Sequence, residues 1–349
     1  MGLRTSWRGG IPVFEGQLIS EPATMRAVVC RGFEGIDGLM IERLPIPEPE
    51  PGEVRVKVVA AGVNFADMLM ISGRYQVKPP LPFVPGSEFC GFIDALGPDV
   101  AGWNVGEAVM GASVEGGYYA EYGRARAARL AHWPEGLPPE VAAGMFIGHG
   151  TAWFALLRRG ALQAGETVVI TGAGGGVGVP AIEVAKRAGA FVIAAASSAE
   201  KLEIARSHGA DALINYGTHN LREEILALTD GRGYDVLFDT IGGDLFDQAL
   251  RVAAPYARLL VVGFASGRIP AVPANRLLLK NISVVGVGGH AVTLGAGDEL
   301  RRQVEELAAL HAGSPFTSAV TAEYGLDDAG LALTRLANRD VVGKLLIRP

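Results

Sequence analysis

The chemistry most clearly indicated by this sequence is phosphate binding at a turn rich in glycine. Residues 168–170 form a short β-branched run flanked by turn residues, which predicts a buried strand. From Val177 onward the apolar residues recur at helical spacing, so the glycines lie where a strand passes into a helix. Glycine lets the backbone approach a pyrophosphate closely, and the free amides and dipole of the helix favour its negative charge. We therefore predict that the pyrophosphate of a dinucleotide is bound by Gly174, Gly175, Gly176 and Val177.

The segments that follow this turn alternate between strand-like and helix-like patterns. The glycine motif alone would also fit a turn without a ligand, because Ala173 takes the first glycine position of the register that ends at Gly178. The alternation over the next ~110 residues favours a doubly wound sheet instead. We predict six parallel strands of the Rossmann type, joined by right-handed crossovers. After 168–170 the predicted strands are 191–196, 212–214, 236–238, 259–262 and 282–287, and the predicted helices are 200–207, 221–228 and 245–252.

The end of the second predicted strand indicates which dinucleotide binds. An acidic residue about 20 positions past the glycines would bind the ribose hydroxyls of NAD. Strand 191–196 runs instead into Ser197 and Ser198, so no carboxylate at this point repels a phosphate. Ser197, Ser198 and Lys201 supply donors suited to a doubly charged adenosine phosphate, which favours NADPH over NADH. For Lys201 considered alone, a solvated position on the helix surface is the alternative.

The sequence on either side of this region lacks the regular alternation of strands and helices. Short predicted strands separated by turns precede it and indicate an antiparallel β domain, with strands over 26–30, 53–60, 89–96, 108–110 and 118–122. The C-terminal piece, with a helix over 301–311 and a strand over 344–347, is expected to fold back on that domain. The first residues lack the apolar stretch of a secretory signal. The predicted organisation is a poorly ordered extension or an upstream start over 1–24, a β-rich domain formed by 25–148 and 290–349, and a dinucleotide-binding domain over 149–289.

Composition limits the function further. Hydrophobic residues make up 49% of the 349 residues, which is ample for a large core. Cys30 and Cys90 are the only cysteines, so we expect no disulfide framework and a reducing compartment, the cytoplasm. The formal net charge is -6, and no run of 18 apolar residues is found. Neither nucleic acid nor a membrane is therefore expected as a partner.

Several short motifs, taken together and in order, resemble one protein superfamily. They are Gly62-Val63-Asn64-Phe65-Ala66-Asp67, Gly73-Arg74-Tyr75, Pro85-Gly86-Ser87-Glu88-Phe89-Cys90-Gly91, the glycine turn, Lys201, Tyr216, Leu279-Lys280-Asn281 and Gly343-Lys344. From Met25 onward the chain resembles the medium-chain dehydrogenases/reductases, and among them the zinc-free NADPH quinone oxidoreductases of the zeta-crystallin type. The resemblance implies an α/β fold, in which a Rossmann domain is joined to a GroES-like, antiparallel β-rich catalytic domain.

The same resemblance bears on metal binding. In the zinc alcohol dehydrogenases of this superfamily, a cysteine and a histidine occupy the positions that match Asn64 and Ser87. A catalytic zinc needs three protein ligands, and two cysteines are too few for the four-cysteine structural zinc of those enzymes. Cys90 lies in an apolar stretch and is expected to be a core residue. We therefore predict no metal site, and a conjugated acceptor that spreads the charge of an arriving hydride by itself.

Two residues are the candidates for the catalytic site. In the resembled branch, the asparagine matching Asn64 lies beside the nicotinamide, and the tyrosine matching Tyr75 lines the active-site cleft. A phenol there could hydrogen-bond an acceptor oxygen or protonate an enolate, and the alternative is a cleft-wall ring that only stacks. Leu69 and Ile71 stand where close quinone reductases often carry an aromatic residue and an arginine. A preference for quinones is therefore left open.

Further residues are assigned to the cofactor site. Thr151 resembles a hydroxyl that contacts the nicotinamide side, although an N-cap of a helix over 153–157 is the competing interpretation. Tyr216 resembles the residue that shares the adenosine phosphate with Lys201. Arg339 resembles a cofactor-contacting arginine near the C terminus. Gly263 and Phe264 are also predicted to contact the cofactor.

These predictions converge on a zinc-independent reductase that transfers a hydride from NADPH to a quinone or another α,β-unsaturated carbonyl. An enoyl thioester or 2-alkenal reductase is the alternative enzyme, because a tyrosine of the same loop is thought to donate the proton in related enoyl thioester reductases. A non-catalytic, crystallin-like protein that binds NADPH is the alternative of another class. The sixth predicted strand is apolar and lies at a sheet edge, so a C2 homodimer through this edge is expected.

Overall fold

The computed structural model describes residues 5–8, 11–14, 23–288 and 297–349 of the chain. Near the N terminus, β1 (Thr5–Arg8) and β2 (Ile11–Phe14) pair as an antiparallel hairpin. Most of the rest of the predicted extension, 1–24, lies outside the described residues. None of the helices within the described ranges combines the length and the apolar composition that crossing a bilayer requires.

The strands before the glycine turn pair in antiparallel fashion. They are β3 (Thr24–Cys30), β4 (Leu39–Pro45), β5 (Glu53–Gly62), β6 (Glu88–Leu96), β7 (Ala108–Ala112), β8 (Tyr122–Arg126) and β9 (Leu130–His132). In β5 the side chains of Val54, Val56 and Val58 are buried while Arg55 and Lys57 between them are not, which is the period of two expected of a strand with one apolar face. This face packs into the core of the antiparallel part.

One predicted strand of this part is wrongly placed. The sequence predicts a strand over 118–122, but β8 begins only at Tyr122. Tyr118 and Tyr119 are both fully buried in the bend before it, and the amides of both donate to the carbonyl of Pro85. Successive residues of a strand point to opposite faces. Two neighbouring rings can both reach the core here because the backbone is irregular.

One short helix lies within the antiparallel part, and a longer helical segment connects it to the parallel sheet. α1 (Phe65–Ile71) follows β5, and a longer helical segment contains α2 (Pro139–Gly144), a π-helical turn (Met145–His149), α3 (Gly150–Trp153) and a second π-helical turn (Phe154–Arg159). Thr151 lies inside this segment, and His149 before it already has helical dihedral angles, φ -69° and ψ -35°. An N-cap residue has a non-helical backbone. The N-cap interpretation of Thr151 is therefore wrong.

The second part is a parallel sheet covered by helices. Its strands are β10 (Thr167–Thr171), β11 (Phe191–Ala196), β12 (Ala212–Asn215), β13 (Tyr234–Asp239), β14 (Ala253–Val261) and β15 (Ser283–Gly286), in the order β12-β11-β10-β13-β14-β15. The helices are α4 (Gly178–Arg187), α5 (Ala199–Ser207), α6 (Leu221–Leu228), α7 (Gly243–Arg251) and α8 (Ala274–Lys280). All residues of β10 are buried, as expected of a strand covered on both faces. The predicted Rossmann sheet of six parallel strands is confirmed.

The C-terminal chain returns to the antiparallel part. It contains α9 (Gly297–Gly313), β16 (Val320–Gly325), α10 (Ala329–Ala337) and β17 (Lys344–Arg348). β17 pairs in parallel with β16 and antiparallel with β5, which produces a seven-stranded sheet in the order β16-β17-β5-β6-β7-β9, with β8 also on β5. The fold class predicted from the sequence, a Rossmann sheet with an antiparallel GroES-like part, is therefore confirmed.

A buried carboxylate in α4 anchors this return. The amide and hydroxyl of Thr317 donate to Glu183 Oε1, at 3.1 and 2.9 Å, and His149 Nε2 lies 2.9 Å from Glu183 Oε2. His208 Nδ1 is 3.3 Å from Oε1. Burial alone would raise the pKa of Glu183, but the hydrogen bonds from the two histidines outweigh it and hold that pKa well below its usual range. Glu183 therefore ties three separate segments to α4 in its ionised form.

Candidate active site

The glycine turn joins β10 to α4 and leaves backbone donors free. α4 begins at Gly178, and its N-cap residue Val177 makes no side-chain cap hydrogen bond. Within the ranges that the structure describes, the N–H group of Val177 has no backbone acceptor. On its other side the turn is held by the C-terminal chain, since Gly343 N donates to Gly174 O at 2.7 Å. Free donors at a helix N terminus are what a pyrophosphate requires.

The glycines of the turn differ in the space around them. A Cβ added at Gly174 would lie 2.5 Å from the Lys201 Cβ, and one at Gly178 would lie 2.2 Å from Gly172 O. These two glycines therefore permit close packing inside the turn and against α5. A Cβ added at Gly175 would meet only Gly172 O, at 3.4 Å, which is an ordinary contact. The turn is thus open at Gly175, and a pyrophosphate can approach the backbone there.

Predicted cofactor residues meet beyond the end of β11. Ser197 is exposed, and Ser198 caps α5 by accepting a hydrogen bond from Lys201 N at 3.3 Å. Burial raises the pKa of Tyr216, while its hydrogen bond with Ser197 and the nearby Arg339 guanidinium act in the opposite direction. Lys201 Nζ donates to Arg339 O at 2.7 Å. Hydroxyls and cations are therefore gathered where an adenosine phosphate would lie.

The remaining predicted cofactor residues are placed by two other elements. Gly263 and Phe264 follow β14, and Arg339 Nη2 donates to the carbonyl of the next residue, Ala265, at 2.9 Å. The structure therefore brings Arg339 to the segment of Gly263 and Phe264. Thr151 is half-buried in α3, and its hydroxyl makes no hydrogen bond to the described residues. Its predicted contact with the cofactor stays a prediction.

Asn64 is fixed by hydrogen bonds at both ends of its carboxamide. Its Nδ2 donates to Gly62 O at 3.2 Å and to Glu88 Oε1 at 3.0 Å. Its Oδ1 accepts from Lys344 Nζ at 2.6 Å. Both amide hydrogens are used within the protein, so the carboxamide is held in one orientation. Its predicted place beside a nicotinamide would then be that of a rigid wall, not of a free hydrogen-bond donor.

Asp67 is a fully buried carboxylic acid at the start of α1. Ser87 Oγ donates to its Oδ1 at 2.5 Å, while Tyr119 OH and Asn64 N each donate to its Oδ2 at 2.9 Å. Burial raises the pKa of Asp67 to about 6, against the opposing effect of these three hydrogen bonds and of the Lys344 charge. The hydroxyl hydrogen of Ser87 is therefore directed away from any ligand and towards Asp67.

The roles of four buried polar residues were not predicted from the sequence: Asp67, Glu88, Tyr119 and Lys344. Three of them lie inside the quoted motifs, but the motifs alone say nothing of their partners. One feature of the sequence could have indicated buried charges: a charged residue directly before an apolar strand. Glu88 is the first residue of β6, and Lys344 is the first residue of β17. A charge that is buried must be paired. The partners are far apart in the sequence, so the sequence alone does not show which residues pair.

Tyr75 meets one requirement for a proton donor. It is half-buried beside the core of the antiparallel part, and its phenol makes no hydrogen bond within the described residues. Burial raises the pKa of Tyr75, and the charge of Asp67 raises it further. Leu69 beside it is half-buried, but Ile71 is fully buried in the core. Ile71 is therefore a core residue. It does not line the cleft, so its difference from the arginine of close quinone reductases says nothing about the acceptor.

The donor chemistry around Asn64 does not suit zinc. Among the described residues, no group of three or more His, Cys, Asp or Glu side chains is placed to hold a metal ion. The Asn64 carboxamide and the Ser87 hydroxyl are engaged with Lys344 and Asp67. Cys90 is fully buried, which raises the pKa of its thiol to about 12. The expectation that Cys90 is a core residue is confirmed.

We expect Ser87→Ala to raise the pKa of Asp67 above about 6, because it removes a hydrogen bond that favours the ionised carboxylate. The measurement is the pH titration of the protonated carboxyl band by infrared difference spectroscopy, assigned as the band that Asp67→Asn lacks. Ser113→Ala is the control, since the Ser113 hydroxyl accepts from Glu115 N and contacts neither Asp67 nor Asn64. An Asp67 pKa that does not change in Ser87→Ala would contradict the network.

Comparison with known proteins places this geometry in a family. A family profile described as "Alcohol dehydrogenase GroES-like domain" matches residues 50–135, and one described as "Zinc-binding dehydrogenase" matches residues 176–309. A quinone oxidoreductase-like protein 2 homolog of Nematostella vectensis is 36% identical over 92% of this chain and 88% of its own length. A quinone oxidoreductase of Pseudomonas aeruginosa is 34% identical over 86% of this chain and 93% of its own.

Solved structures agree with these relatives. A mycobacterial protein complexed with NADPH has a TM-score of 0.86 and 33% identity, covering 93% of this chain and 100% of its own. A quinone oxidoreductase of Pseudomonas syringae has a TM-score of 0.85 and 28% identity, with 93% and 100% coverage. With the Rossmann sheet, the GroES-like part and the motifs around Asn64, these matches show that the chain belongs to the quinone oxidoreductase branch of the medium-chain dehydrogenase/reductase superfamily, a family of oxidoreductases.

Proposed function

We propose that this chain is a zinc-independent reductase that transfers a hydride from NADPH to a quinone or another α,β-unsaturated carbonyl. The observation that carries the proposal is the gathering of Ser197, Tyr216, Lys201 and Arg339 beyond β11, where an acidic residue would serve NAD. The NADPH complex of the mycobacterial relative supports this cofactor. The relatives named quinone oxidoreductase support the class of acceptor.

In this proposal the protein's own task is to hold and orient the two reactants. Bound NADPH would supply the hydride. The pyrophosphate would be bound by the glycine turn, at Gly174, Gly175, Gly176 and Val177. The adenosine phosphate would be bound by Ser197, Ser198, Lys201, Tyr216 and Arg339. Further contacts with the cofactor would come from Asn64, Thr151, Gly263 and Phe264. Orientation of this kind accounts for a large part of the rate when two reactants must meet in one geometry.

Tyr75 is the proposed source of the proton. Its raised pKa keeps the phenol protonated at neutral pH, and its hydroxyl hydrogen is not used by the described residues. These two properties suit protonation of the enolate that forms when hydride reaches an enone or an enoyl thioester. They therefore favour an enoyl thioester or 2-alkenal reductase as the second candidate function. A quinone needs no such donor, because its reduced oxygens can take protons from solvent.

We expect Tyr75→Phe to lower kcat by about 10²- to 10⁴-fold with enones and enoyl thioesters, the usual cost of losing a positioned acid, and to lower it only slightly with quinones. The measurement is NADPH oxidation with all three classes of acceptor, in the presence of a chelator so that zinc independence is examined as well. Tyr122→Phe is the matched control, because Tyr122 is also half-buried but packs against a different core cluster from Tyr75.

Each outcome of this assay has a consequence. An unchanged kcat of Tyr75→Phe with every acceptor would leave Tyr75 as a cleft-wall ring. Loss of activity in chelator, restored by zinc, would contradict zinc independence. NADPH binding without oxidation by any acceptor would favour the non-catalytic protein over the enzyme.

We expect NADPH to bind at least about tenfold more tightly than NADH, roughly 1.4 kcal/mol, and Lys201→Ala to lose most of this preference. The physical reason is that the ammonium of Lys201 would pair with the adenosine phosphate, which NADH lacks. Titration of intrinsic fluorescence gives both dissociation constants. Lys186→Ala, which removes a lysine paired with Asp211 at 2.7 Å, is the control. Equal affinities for the two cofactors in the wild type would remove the phosphate pocket.

A C2 homodimer through β15 belongs to the same proposal. Among the strands that the structure describes, β15 is the last of the parallel sheet, so one of its edges has no neighbouring strand there. Val284 and Val285 of this strand are only half-buried. An open apolar edge favours pairing with a second copy. Light scattering at micromolar concentration is expected to give twice 36.5 kDa, and a mass of one chain would contradict the dimer.

The division into domains and the location in the cell also stay proposals. We propose that 25–148 and 290–349 form the catalytic domain and that 149–289 bind NADPH, which limited proteolysis can examine. A cytoplasmic location is supported by the two cysteines, Cys30 and Cys90, which are both buried and free. Cell fractionation is the direct measurement.

A further inference from the structure

Lys344 is a buried cation between two residues of the candidate site. It is the first residue of β17 and is only 6% exposed. Its Nζ donates to Asn64 Oδ1 and to Glu88 Oε1, both at 2.6 Å. A lysine is rarely buried without a specific partner. The proposed hydride transfer and proton donation assign no role to this residue.

Glu88 links the ammonium to the Asn64 carboxamide and to the backbone of a further segment. Its Oε1 accepts from Lys344 and from Asn64 Nδ2, and its Oε2 accepts from Ile147 N at 2.9 Å. Glu88 is 1% exposed. Lys344 and Glu88 therefore hold the Asn64 carboxamide from opposite ends. Because an amide reversed end for end would place its NH₂ group against the ammonium, only one orientation satisfies all of these bonds.

The other end of Lys344 lies against the glycine turn. Its neighbour Gly343 donates from its amide to Gly174 O at 2.7 Å and forms a bridge with Gly175. The side-chain stem then passes the turn, because a Cβ added at Gly176 would lie 2.9 Å from Lys344 Cδ. One short segment, 343–344, therefore contacts both the proposed pyrophosphate site and Asn64.

We propose that Lys344 is a positioning residue that fixes the Asn64 carboxamide relative to the glycine turn. The cofactor bound at the glycine turn then contacts the Asn64 carboxamide at a fixed distance and angle. This contact holds the nicotinamide in the orientation for hydride transfer. This inference rests on the proposed function for the identity of the cofactor and for the place of Asn64 beside its nicotinamide. It adds a residue that acts on the nicotinamide through Asn64 without contacting the reacting atoms.

The variant that tests this role is Lys344→Met. Methionine keeps the length of the stem beside Gly176 but removes the charge and the donor to Asn64. It also leaves Glu88 without its cation, which could unfold the protein for a reason unrelated to positioning. Lys344→Met combined with Glu88→Gln removes both charges and keeps the test valid if the single variant does not fold. Lys186→Met is the control for removal of a paired lysine elsewhere.

The first measurement is a double-mutant cycle on single-turnover hydride transfer, with NADPH as the cofactor. We expect Lys344→Met and Asn64→Ala each to slow the step by about tenfold or more. If Lys344 acts through Asn64, the combined variant is expected to be no slower than the slower single variant, within about twofold. The dissociation constant of NADPH is expected to change by less than about threefold. A purely structural role would give multiplying effects or a matching loss of NADPH affinity, and either result would overturn the inference.

The second measurement does not depend on turnover. The fluorescence lifetime of bound NADPH reports how rigidly its nicotinamide is held, and we expect Lys344→Met and Asn64→Ala to shorten it to the same extent, with no further change in the combined variant. A wild-type lifetime in Lys344→Met would overturn the inference. A wild type that binds NADPH but reduces no acceptor would refute the proposed function, while the lifetime cycle would still decide the role of Lys344.

Discussion

The buried ion pair between Lys344 and Glu88 is the interaction on which the arrangement of the site depends. It joins the first residue of the last strand to the first residue of β6, 256 positions apart in the sequence. Two charges taken out of water are stable only when they are paired and fully hydrogen-bonded, and removing one partner of such a pair typically costs about 3–5 kcal/mol. The pair forms where β17 enters the antiparallel sheet. The same residue, Lys344, therefore begins the strand that extends that sheet and orients Asn64.

A second polar network lies directly beside this pair. Asp67 gathers hydrogen bonds from Ser87, Tyr119 and the amide of Asn64. The start of α1 is therefore fixed by side chains from two other segments. A buried network of this kind is rigid when all its members are satisfied, because breaking any one bond leaves an unpaired polar group away from water. Asn64 belongs to both networks and is the residue through which they meet.

The cofactor side depends on the C-terminal chain in the same way. Gly343 contacts the glycine turn, Lys201 donates to the carbonyl of Arg339, and Arg339 donates to the segment after β14. The positive φ of Arg339, +59°, turns the chain at this point. At the carboxyl ends of the parallel strands, free backbone groups and the N terminus of α4 are available to a ligand, as in other sheets of this type. Their closure into a site is made by the segment 339–344, which belongs to the other part of the fold.

The sequence by itself determined the parallel sheet, the glycine turn and the absence of an acidic residue after β11, because these follow from residue type at short spacing. Periodicity placed β11 and α6 at the bounds that the structure shows. The tertiary structure alone decided that Thr151 lies inside a helix, that Ile71 belongs to the core, and that Lys344 pairs with Glu88. Each of these depends on neighbours far away in the chain. Hydrophobic pattern and local spacing do not show which distant group pairs with a buried charge, so only the packed tertiary structure identifies the partner.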